Sequence, residues 1–280
     1  MNILLVVNEQ KDKGFALTKE IVDLIGKRAE VFAEECLCGS SVKNVSYIPE
    51  EKFKNMDVIL VLGGDGTLLG ISKTAARLNI PVVGVNLGRL GFLSEIEKDN
   101  LKEDLDKLIA GDFKIEERMM LSAKLSDKEN ECALNDIIIT RKNSLLKILE
   151  FDVFLDDEFV DHFMADGIII STPTGSTAYS LSAGGPIADP SMNIMIITPI
   201  CPHKMYSRTI IVPSNKKITI KNRSQDDSRA IIAADSRMIG EIDSGEAVVV
   251  NAAKDSLKLI KLHGFKFFSL LHDKLVKKEK

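Results

Sequence analysis

The sequence lacks several features that mark whole classes of protein. None of its apolar runs approaches the roughly 18 residues that a membrane-spanning helix requires, and its net charge is only −4 over 280 residues. A charge this small provides no general attraction to nucleic acid or to an anionic membrane. We therefore expect neither nucleic acid nor a membrane as a partner.

The N-terminus also lacks the parts of a secretory signal. The short apolar run at residues 3–7 has no basic region before it and no small-residue cleavage site after it. This pattern predicts a first β-strand and no signal peptide. We accordingly expect a cytoplasmic enzyme.

Cysteine and histidine are scarce, and neither forms a metal-binding pattern. Only Cys36 and Cys38 are close together, no second pair follows, and the four histidines show no His-x-x-x-His spacing. Structural zinc sites usually need two short-spaced pairs, so no zinc site is predicted and the ligands of any other metal stay unknown. We expect the thiols, which include Cys132 and Cys201, to be reduced and mostly buried.

Up to about residue 117 the sequence alternates short apolar strands with helices. Residues 57–62 and 82–85 have the composition of buried strands, and apolar residues recur on one helical face of residues 68–78 between them. Such alternation predicts a parallel sheet covered on both faces, with ligands bound outside the carboxyl ends of its strands. We predict an α/β N-terminal domain at residues 1–117.

From residue 118 the pattern changes to many short β-rich segments. Strict alternation of polar and apolar residues at 217–221 indicates a half-buried strand, and one short helix begins near Thr177. These features predict a mainly β, antiparallel C-terminal domain at residues 118–254. Helical spacing returns at 265–280, and we expect the tail at 255–280 to form a C-terminal helix that packs on the first domain.

A glycine-rich turn, Gly-Gly-Asp-Gly-Thr at residues 63–67, directly follows the second buried strand. Such a turn can place backbone N–H groups against phosphate oxygens. The negative charge of Asp65 would repel phosphate, so the residue needs a role of its own. It could orient or deprotonate an attacking hydroxyl or hold a metal. Alternatively, Asp65 caps the next helix.

Two further segments carry possible binding residues. Glycines at 88 and 91 follow the third strand and allow positive φ or close ligand approach, and Arg89 between them is either a phosphate contact or a solvated surface residue. Hydroxyl side chains are dense between Asp166 and residue 186, where a buried strand precedes them and Gly-Gly-Pro follows. This density favours a polyhydroxylated heteroaromatic ligand over a serine-rich connector.

Together these segments resemble the ATP-dependent NAD kinase family. The resemblance rests on residues 63–67, 86–92 (Asn-Leu-Gly-Arg-Leu-Gly-Phe), 134–136 (Leu-Asn-Asp) and 172–186, in this order over nearly the full length. Lipid kinases share a turn similar to the first, whereas its combination with Thr-Pro-Thr-Gly-Ser-Thr-Ala-Tyr-Ser is specific. The resemblance implies transfer of the γ-phosphate of ATP to the 2′-hydroxyl of the adenosine ribose of NAD, giving NADP, with Mg²⁺ or another divalent cation.

The resemblance also implies roles for individual residues. Asp65 matches the proton acceptor, with Gly66 against the dinucleotide, and Asn135 and Asp136 match the pair that grips adenine and ribose. Asp166 matches an acidic residue on the nicotinamide side. The other positions that match nucleotide contacts are Lys147, Met164, Thr177, Ala178, Tyr179, Ser180, Leu181, Ser182, Cys201 and Arg237.

This chain departs from the family pattern at two positions. The family's Asp-Ser-Gln is Asp235-Ser236-Arg237 here, and Cys201 replaces a small residue, which leaves at best a backbone contact. No Gly-x-x-x-x-Gly-Lys-Ser/Thr loop is present, so we expect the glycine turns and Mg²⁺ to shield the triphosphate. Family members assemble as dimers or tetramers, and we expect a homodimer or homotetramer here.

Two other functions fit part of the pattern. A lipid kinase (sphingosine- or diacylglycerol-type) or a sugar kinase with the same architecture would need an apolar tunnel or a sugar-phosphate site in place of the hydroxyl-rich segment. A non-catalytic NAD sensor would be more plausible with Asn or Ala at position 65, where this chain has Asp.

Overall fold

The chain forms two compact units. The computed structural model describes residues 1–39, 42–88, 91–125, 129–142, 148–224, 229–264 and 267–276. One unit comprises Met1–Glu117 with Leu257–Lys280, and the other is Arg118–Ser256. No helix in these described ranges combines the length and the apolar character needed to cross a membrane.

Short strands and a few helices make up both units. In chain order the first strands are β1 (Asn2–Val7), β2 (Glu30–Glu34), β3 (Ser46–Ile48), β4 (Val58–Gly63), β5 (Val82–Asn86), β6 (Ser94–Ile96), β7 (Lys114–Arg118), β8 (Leu121–Leu125), β9 (Glu131–Ala133) and β10 (Asp136–Arg141). The later strands are β11 (Leu149–Leu155), β12 (Glu158–Ala165), β13 (Gly167–Ser171), β14 (Ile194–Ile200), β15 (Ile210–Pro213), β16 (Ile218–Asn222), β17 (Ala230–Ala234), β18 (Arg237–Ile242), β19 (Ala247–Ala252) and β20 (Leu257–Lys261). The α-helices are α1 (Ala16–Ile25), α2 (Asp65–Leu78), α3 (Leu101–Ala110), α4 (Tyr179–Ser182) and α5 (Phe267–Val276).

The first unit is built on one sheet with the strand order β3-β2-β1-β4-β5-β20-β7, and β6 pairs with β5. The strands from β1 to β6 and β20 pair in parallel. Ile21 of α1 and Leu105 of α3 share a buried cluster with Leu60 and Leu62 of β4. This is the α/β domain with a parallel sheet that the sequence predicts, and β4 is apolar throughout because it is buried along its length.

The end of the chain completes this unit. Strand β20, which the sequence analysis did not predict, pairs with β5 through Leu259 and Val82. Helix α5 follows, and the ring of its first residue, Phe267, lies 6.1 Å from the ring of Phe92, measured between centroids. The predicted return of a C-terminal helix to the first domain is therefore confirmed.

The second unit consists of two antiparallel sheets. Their strand orders are β15-β14-β13-β10-β17-β18 and β12-β11-β16-β19-β8-β9. Ile137 and Ile168 from the first of these sheets lie in the same buried cluster as Phe151 and Val248 from the second. The two sheets therefore share one core, which confirms the mainly β C-terminal domain.

The cysteines differ from the prediction. Cys38 and Cys201 are exposed and Cys132 is only partly buried, and none of these three thiols forms a disulfide. Cys38 follows a short 3₁₀ helix, and Cys201 stands just beyond β14 with a φ of 46°. The expectation of mostly buried thiols is wrong for these three residues, and two of them lie where the chain leaves a regular element.

Candidate active site

The glycine-rich turn connects β4 to α2 in the first unit. Strand β4 ends at Gly63 and α2 begins at Asp65, so Gly64 alone separates them. A Cβ atom built on Gly63 would stand 2.3 Å from Oγ1 of Thr67, which explains why only glycine fits there. The N–H groups of Asp65 and Gly66 lie in the first helical turn, where the helix itself provides no acceptor.

The Asp65 carboxylate contacts the second glycine-rich loop. Its Oδ2 accepts a hydrogen bond from the N–H of Phe92 at 2.8 Å, and its Oδ1 accepts one from the N–H of Leu93 at 3.2 Å. No side-chain hydrogen bond caps α2, whose N-cap residue is Gly64. The alternative that Asp65 caps its own helix is therefore wrong. The carboxylate is only partly buried, and each oxygen can accept a further hydrogen bond.

Asn86 holds the second loop in place. Its Oδ1 accepts a hydrogen bond from the N–H of Gly88 at 3.0 Å, and its Nδ2 donates to the carbonyl of Gly88 at 3.1 Å. The N–H of Leu87 donates to the carbonyl of Gly63 at 3.0 Å, which ties the two loops side by side. Arg89 lies outside the described residues.

The second unit brings the Asn-Asp pair next to the hydroxyl-rich segment. Oγ1 of Thr172 donates to the carbonyl of Leu134 at 2.6 Å and accepts a hydrogen bond from the N–H of Gly175 at 3.0 Å. The N–H of Thr172 donates to the carbonyl of Asn135 at 2.9 Å. A Cβ atom on Gly175 would stand 2.0 Å from that same carbonyl oxygen, so glycine is required for this close approach.

Several hydroxyl groups of this segment form hydrogen bonds that stabilise the conformation of the segment. Oγ of Ser176 donates to the carbonyl of Pro173 at 2.6 Å and accepts a hydrogen bond from the N–H of Ala188 at 3.0 Å. Ser180 is fully buried, with its Oγ 3.1 Å from Oγ1 of Thr198. Its side chain supports α4. The predicted contacts that keep surface exposure are Thr177, Ala178, Tyr179, Leu181 and Ser182.

Asp235 positions the Asn-Asp pair. Its carboxylate accepts hydrogen bonds from the N–H groups of Leu134 at 2.7 Å, Asn135 at 2.8 Å and Asp136 at 3.3 Å. The residue has a φ of 47° in the turn between β17 and β18. No role for Asp235 was predicted from the sequence, although an Asp-Ser dipeptide between two β-rich runs is a recognisable turn signal.

The buried Asp136 and the partly buried Asp235 have perturbed pKa values. Burial and, to a lesser extent, the neighbouring Asp235 carboxylate together raise the pKa of Asp136 to about 7. Burial also raises the pKa of Asp235, although its three backbone hydrogen bonds act in the opposite direction. Such perturbed pairs of acids are concentrated at functional sites.

A second group of predicted residues lies at the other end of the same strands. Asp136 pairs with Ser171, whereas Thr140 pairs with Gly167, and this interval of four residues corresponds to roughly 13 Å of strand. Asp166 precedes Gly167, and its Oδ2 forms an ion pair with Arg141 at 3.0 Å.

Met164 and Cys201 lie near Asp166. The N–H of Asp166 donates to the carbonyl of Ile200, the residue before Cys201, at 2.9 Å. The carbonyl of Met164 accepts a hydrogen bond from the N–H of His203 at 2.8 Å. Apart from Lys147 and Arg237, the predicted nucleotide contacts of this unit therefore fall into two groups, one at each end of β10 and β13.

Two of the remaining predicted residues have different surroundings. Arg237 begins β18, is exposed, and forms an ion pair with Glu131 at 3.0 Å. Gly66 is exposed at the start of α2. Lys147 lies outside the described residues.

The described residues hold no cluster of three or more His, Cys, Asp or Glu side chains that could bind a metal ion. Mg²⁺ commonly binds through one or two carboxylates together with substrate phosphates and water. The single carboxylate of the glycine-rich turn is compatible with that kind of binding.

Both halves of the chain match family models. Residues 3–113 match the ATP-NAD kinase N-terminal domain, and residues 134–262 match the ATP-NAD kinase C-terminal domain. The NAD kinase of Lachnoclostridium phytofermentans is 39% identical over 283 residues, covering 96% of this chain and 97% of that protein. The NAD kinase of Caldanaerobacter subterraneus subsp. tengcongensis is 37% identical over 279 residues, covering 98% of each.

Two solved structures that share this fold are those of an NADH kinase and an NAD kinase. Yeast NADH kinase complexed with NADH matches with a TM-score of 0.85 and 27% identity, covering 99% of this chain and 87% of that chain. An NAD kinase from Archaeoglobus fulgidus in complex with ATP matches with a TM-score of 0.75 and 25% identity, covering 99% and 98%.

Proposed function

Because the chain belongs to the ATP-NAD kinase family, we propose that Asp65 is its proton acceptor and that Asn135 and Asp136 bind the adenosine of NAD. The protein is an ATP-dependent NAD kinase. It transfers the γ-phosphate of ATP to the 2′-hydroxyl of the adenosine ribose of NAD and so produces NADP.

The position of the Asp65 carboxylate is the observation that carries the proposed mechanism. Phosphoryl transfer through a loose transition state depends on positioning and charge neutralisation more than on a strong base. Two backbone N–H groups hold this carboxylate in one place, and each oxygen can accept another hydrogen bond. The 2′-hydroxyl of NAD donates to Asp65, which takes the proton as the new bond to the γ-phosphorus forms and the bond from that phosphorus to the departing ADP breaks.

The two groups of residues along β10 and β13 suit the two ends of a dinucleotide. We assign Asn135, Asp136 and Thr177 to the adenosine end, together with the exposed Tyr179. Asp166 belongs to the nicotinamide end. The proposed nucleotide contacts also include Gly66, Lys147, Met164, Ala178, Leu181, Ser182, Cys201 and Arg237. Ser180 supports this surface from below, because it is buried.

We propose that a divalent cation, Mg²⁺ for example, enters with the triphosphate of ATP. When bound, it supplies positive charge to the phosphate oxygens. Asp65 carries the carboxylate of the glycine-rich turn, so it is the candidate protein contact for the cation. Chelation by EDTA should abolish turnover, and excess Mg²⁺ should restore it. Binding of NAD alone, measured by calorimetry, should survive chelation.

We also propose that the protein acts in the cytoplasm, where ATP and NAD are available, as a homodimer or homotetramer. Large apolar side chains of the second unit are exposed, with Met205 at 82% and Tyr206 at 85%. Ile211 on the edge strand β15 and Met238 on the edge strand β18 are also exposed. Subunit pairing would cover such edges. Light scattering tests the assembly, and a fully active monomer would contradict it.

A comparison of possible phosphoryl acceptors tests the function. The protein is incubated with Mg²⁺ and γ-labelled ATP, and with NAD, NADH, a sphingoid base or fructose 6-phosphate in separate reactions. The proposal expects label on the 2′-position of the dinucleotide alone; the NADH reaction is included because the yeast relative was solved with NADH. Label on the lipid or the sugar would support the alternative kinases, and NAD binding without turnover would support the sensor.

A further inference from the structure

The glycine-rich turn lacks a positive charge of its own. Its five residues carry one full charge, the negative charge of Asp65. The N-terminus of α2 contributes only about half of a positive charge through the helix dipole. A triphosphate would therefore approach a turn with a net negative charge, and backbone N–H groups alone do not offset that repulsion.

A lysine from a different part of the chain lies over this turn. A Cβ atom built on Gly64 would stand 2.7 Å from Nζ of Lys11. Lys11 belongs to the segment that follows β1, and its side chain is exposed. Among the described residues, no ion pair involves its ammonium group. The cation therefore touches the bare side of Gly64 and remains available to an anion.

The segment that carries Lys11 is anchored to the turn on one side. The N–H of Asn8 donates to the carbonyl of Leu62 at 2.9 Å, and its Nδ2 donates to Oγ1 of Thr67 at 3.2 Å. Oδ1 of Asn8 accepts a hydrogen bond from the N–H of Lys11 at 3.1 Å. One side chain therefore connects the backbone of Lys11 to the last residue of the glycine-rich turn.

The same segment is anchored to α1 on the other side. Asp12 is buried, and its Oδ1 accepts a hydrogen bond from the N–H of Leu17 at 3.0 Å. Its Oδ2 accepts hydrogen bonds from the N–H of Thr18 at 2.9 Å and from Oγ1 of Thr18 at 2.6 Å. Lys11 thus stands between two fixed neighbours, Asn8 and Asp12, and only its side chain is free to adjust.

We propose that Lys11 binds the β- and γ-phosphates of ATP at the glycine-rich turn. It supplies the cation that a lysine within the phosphate loop supplies in other nucleotide-binding proteins. A side chain at position 64 would displace the ammonium group from this place, because its Cβ atom would stand 2.7 Å from Nζ. Asn8 acts as a positioning residue for Lys11. This inference rests on the proposed function, because it assigns a further contact to the same substrate.

The test compares Lys11→Met and Lys11→Arg with the control Lys13→Met. Lys13 is an exposed lysine of the same segment that begins the 3₁₀ helix Lys13–Phe15. We expect Lys11→Met to raise the KM for Mg-ATP by about 10–100-fold, the usual loss for a charge-assisted hydrogen bond. The KM for NAD and the Tm should stay unchanged, and Lys11→Arg should recover most of the affinity for ATP.

A binding experiment separates recognition of phosphate from recognition of adenosine. Inorganic tripolyphosphate and adenosine are titrated as competitors of Mg-ATP. In Lys11→Met the inhibition constant of tripolyphosphate should rise by the same factor as the KM for Mg-ATP, and that of adenosine should not change. Equal inhibition of Lys11→Met and Lys13→Met by tripolyphosphate would overturn the proposal. Equal rises in the KM values for ATP and NAD, together with a lower Tm, would also overturn it.

Failure of this inference is distinguishable from failure of the proposed function. If the wild-type protein phosphorylates NAD and Lys11→Met does so with an unchanged KM for ATP, only the role of Lys11 is wrong. If the wild-type protein does not phosphorylate NAD, the proposed function is wrong. In that case a calorimetric titration of the wild-type protein and Lys11→Met with tripolyphosphate, which needs no turnover, still decides whether Lys11 binds phosphate.

Discussion

Gly91 leaves room for the carboxylate of Asp65. A Cβ atom built on Gly91 would stand 1.9 Å from Oδ1 of Asp65 and 2.6 Å from its Cγ. The next two N–H groups along the chain, those of Phe92 and Leu93, donate hydrogen bonds to the same carboxylate. The second glycine-rich loop therefore fixes the position of the proposed proton acceptor.

Gly91→Ala should displace this carboxylate. The added methyl group cannot coexist with Oδ1 of Asp65, so the side chain must rotate and lose both backbone hydrogen bonds. We expect kcat to fall by at least about 10-fold and the free energy of unfolding to fall by about 1–3 kcal/mol. Steady-state kinetics and urea denaturation measure the two effects.

Gly70→Ala is the matched control for this substitution. Gly70 is exposed in α2, and a Cβ atom there meets nothing within 4 Å. Alanine is the better helix former, so this variant should be fully active and about 0.5–1 kcal/mol more stable. If both glycine variants have wild-type kcat, catalysis does not depend on the position of the Asp65 carboxylate.

Asp65→Asn should keep the fold and lose turnover. The amide is nearly isosteric with the carboxylate but cannot accept the proton of the 2′-hydroxyl, and because its NH₂ must face the N–H of Phe92 or Leu93, the variant should also lose about 1.5–3 kcal/mol of stability. We expect kcat to fall by about 10²–10⁴-fold or more, while the dissociation constant for NAD changes little. Asp23→Asn, at an exposed position of α1, is the control. Near-normal turnover of Asp65→Asn would rule out the proposed role.

Asp235→Asn should weaken NAD binding without affecting ATP. The amide group of asparagine must present its NH₂ to at least one backbone N–H that now donates to the carboxylate. Loss of such a charge-assisted hydrogen bond costs about 1.5–3 kcal/mol. Because the loop at Asn135 loosens, we expect the KM for NAD to rise by about 10-fold with the KM for ATP unchanged. A rise in both constants would indicate a general loss of structure.

Asp136→Asn should change how stability depends on pH. The folded protein keeps the Asp136 proton up to a pKa of about 7, whereas the ordinary value is 3.8. This group's contribution to stability is therefore complete below about pH 4 and is lost as the pH rises through 7. Relative to wild type, the variant should gain about 4 kcal/mol in unfolding free energy between pH 4 and pH 8.

Urea denaturation at several pH values measures this difference. Asp235 faces Asp136 and its carboxylate is present in both proteins, so the difference between the two curves reports the titration of Asp136 together with its coupling to Asp235. Asp23→Asn serves as an exposed control. Parallel curves for wild type and Asp136→Asn would contradict the raised pKa.

Much of the fold follows from local patterns. The apolar runs of β4 and β5 and the helical spacing of α2 are legible because each depends on residues a few positions apart. The glycine-rich turn is predicted from the same local signals. The acid at its centre indicates a separate role, because its negative charge would repel phosphate. The C-terminal helix also appears in the tail's periodicity.

Other features depend on segments that are distant in sequence. Strand β20 joins the first sheet although the whole second unit separates it from β5, and no periodicity indicates which sheet a short strand will enter. Ser180 carries a hydroxyl group like its neighbours, yet it is buried against Thr198. Composition alone does not distinguish a hydroxyl that binds a ligand from one that holds a loop.

Residue types and short spacings were thus enough to predict the two domain classes and the family, and to propose Asp65 as the proton acceptor. Only the folded structure identifies which residues contact the proposed site. Lys11, which follows β1, lies next to Gly64, which follows β4. Asp235 accepts a hydrogen bond from Asn135, about 100 residues earlier in the sequence. Both contacts depend on which strands lie next to each other in the sheets. Pairing depends on the packing of the whole sheet, which no short stretch of residues records.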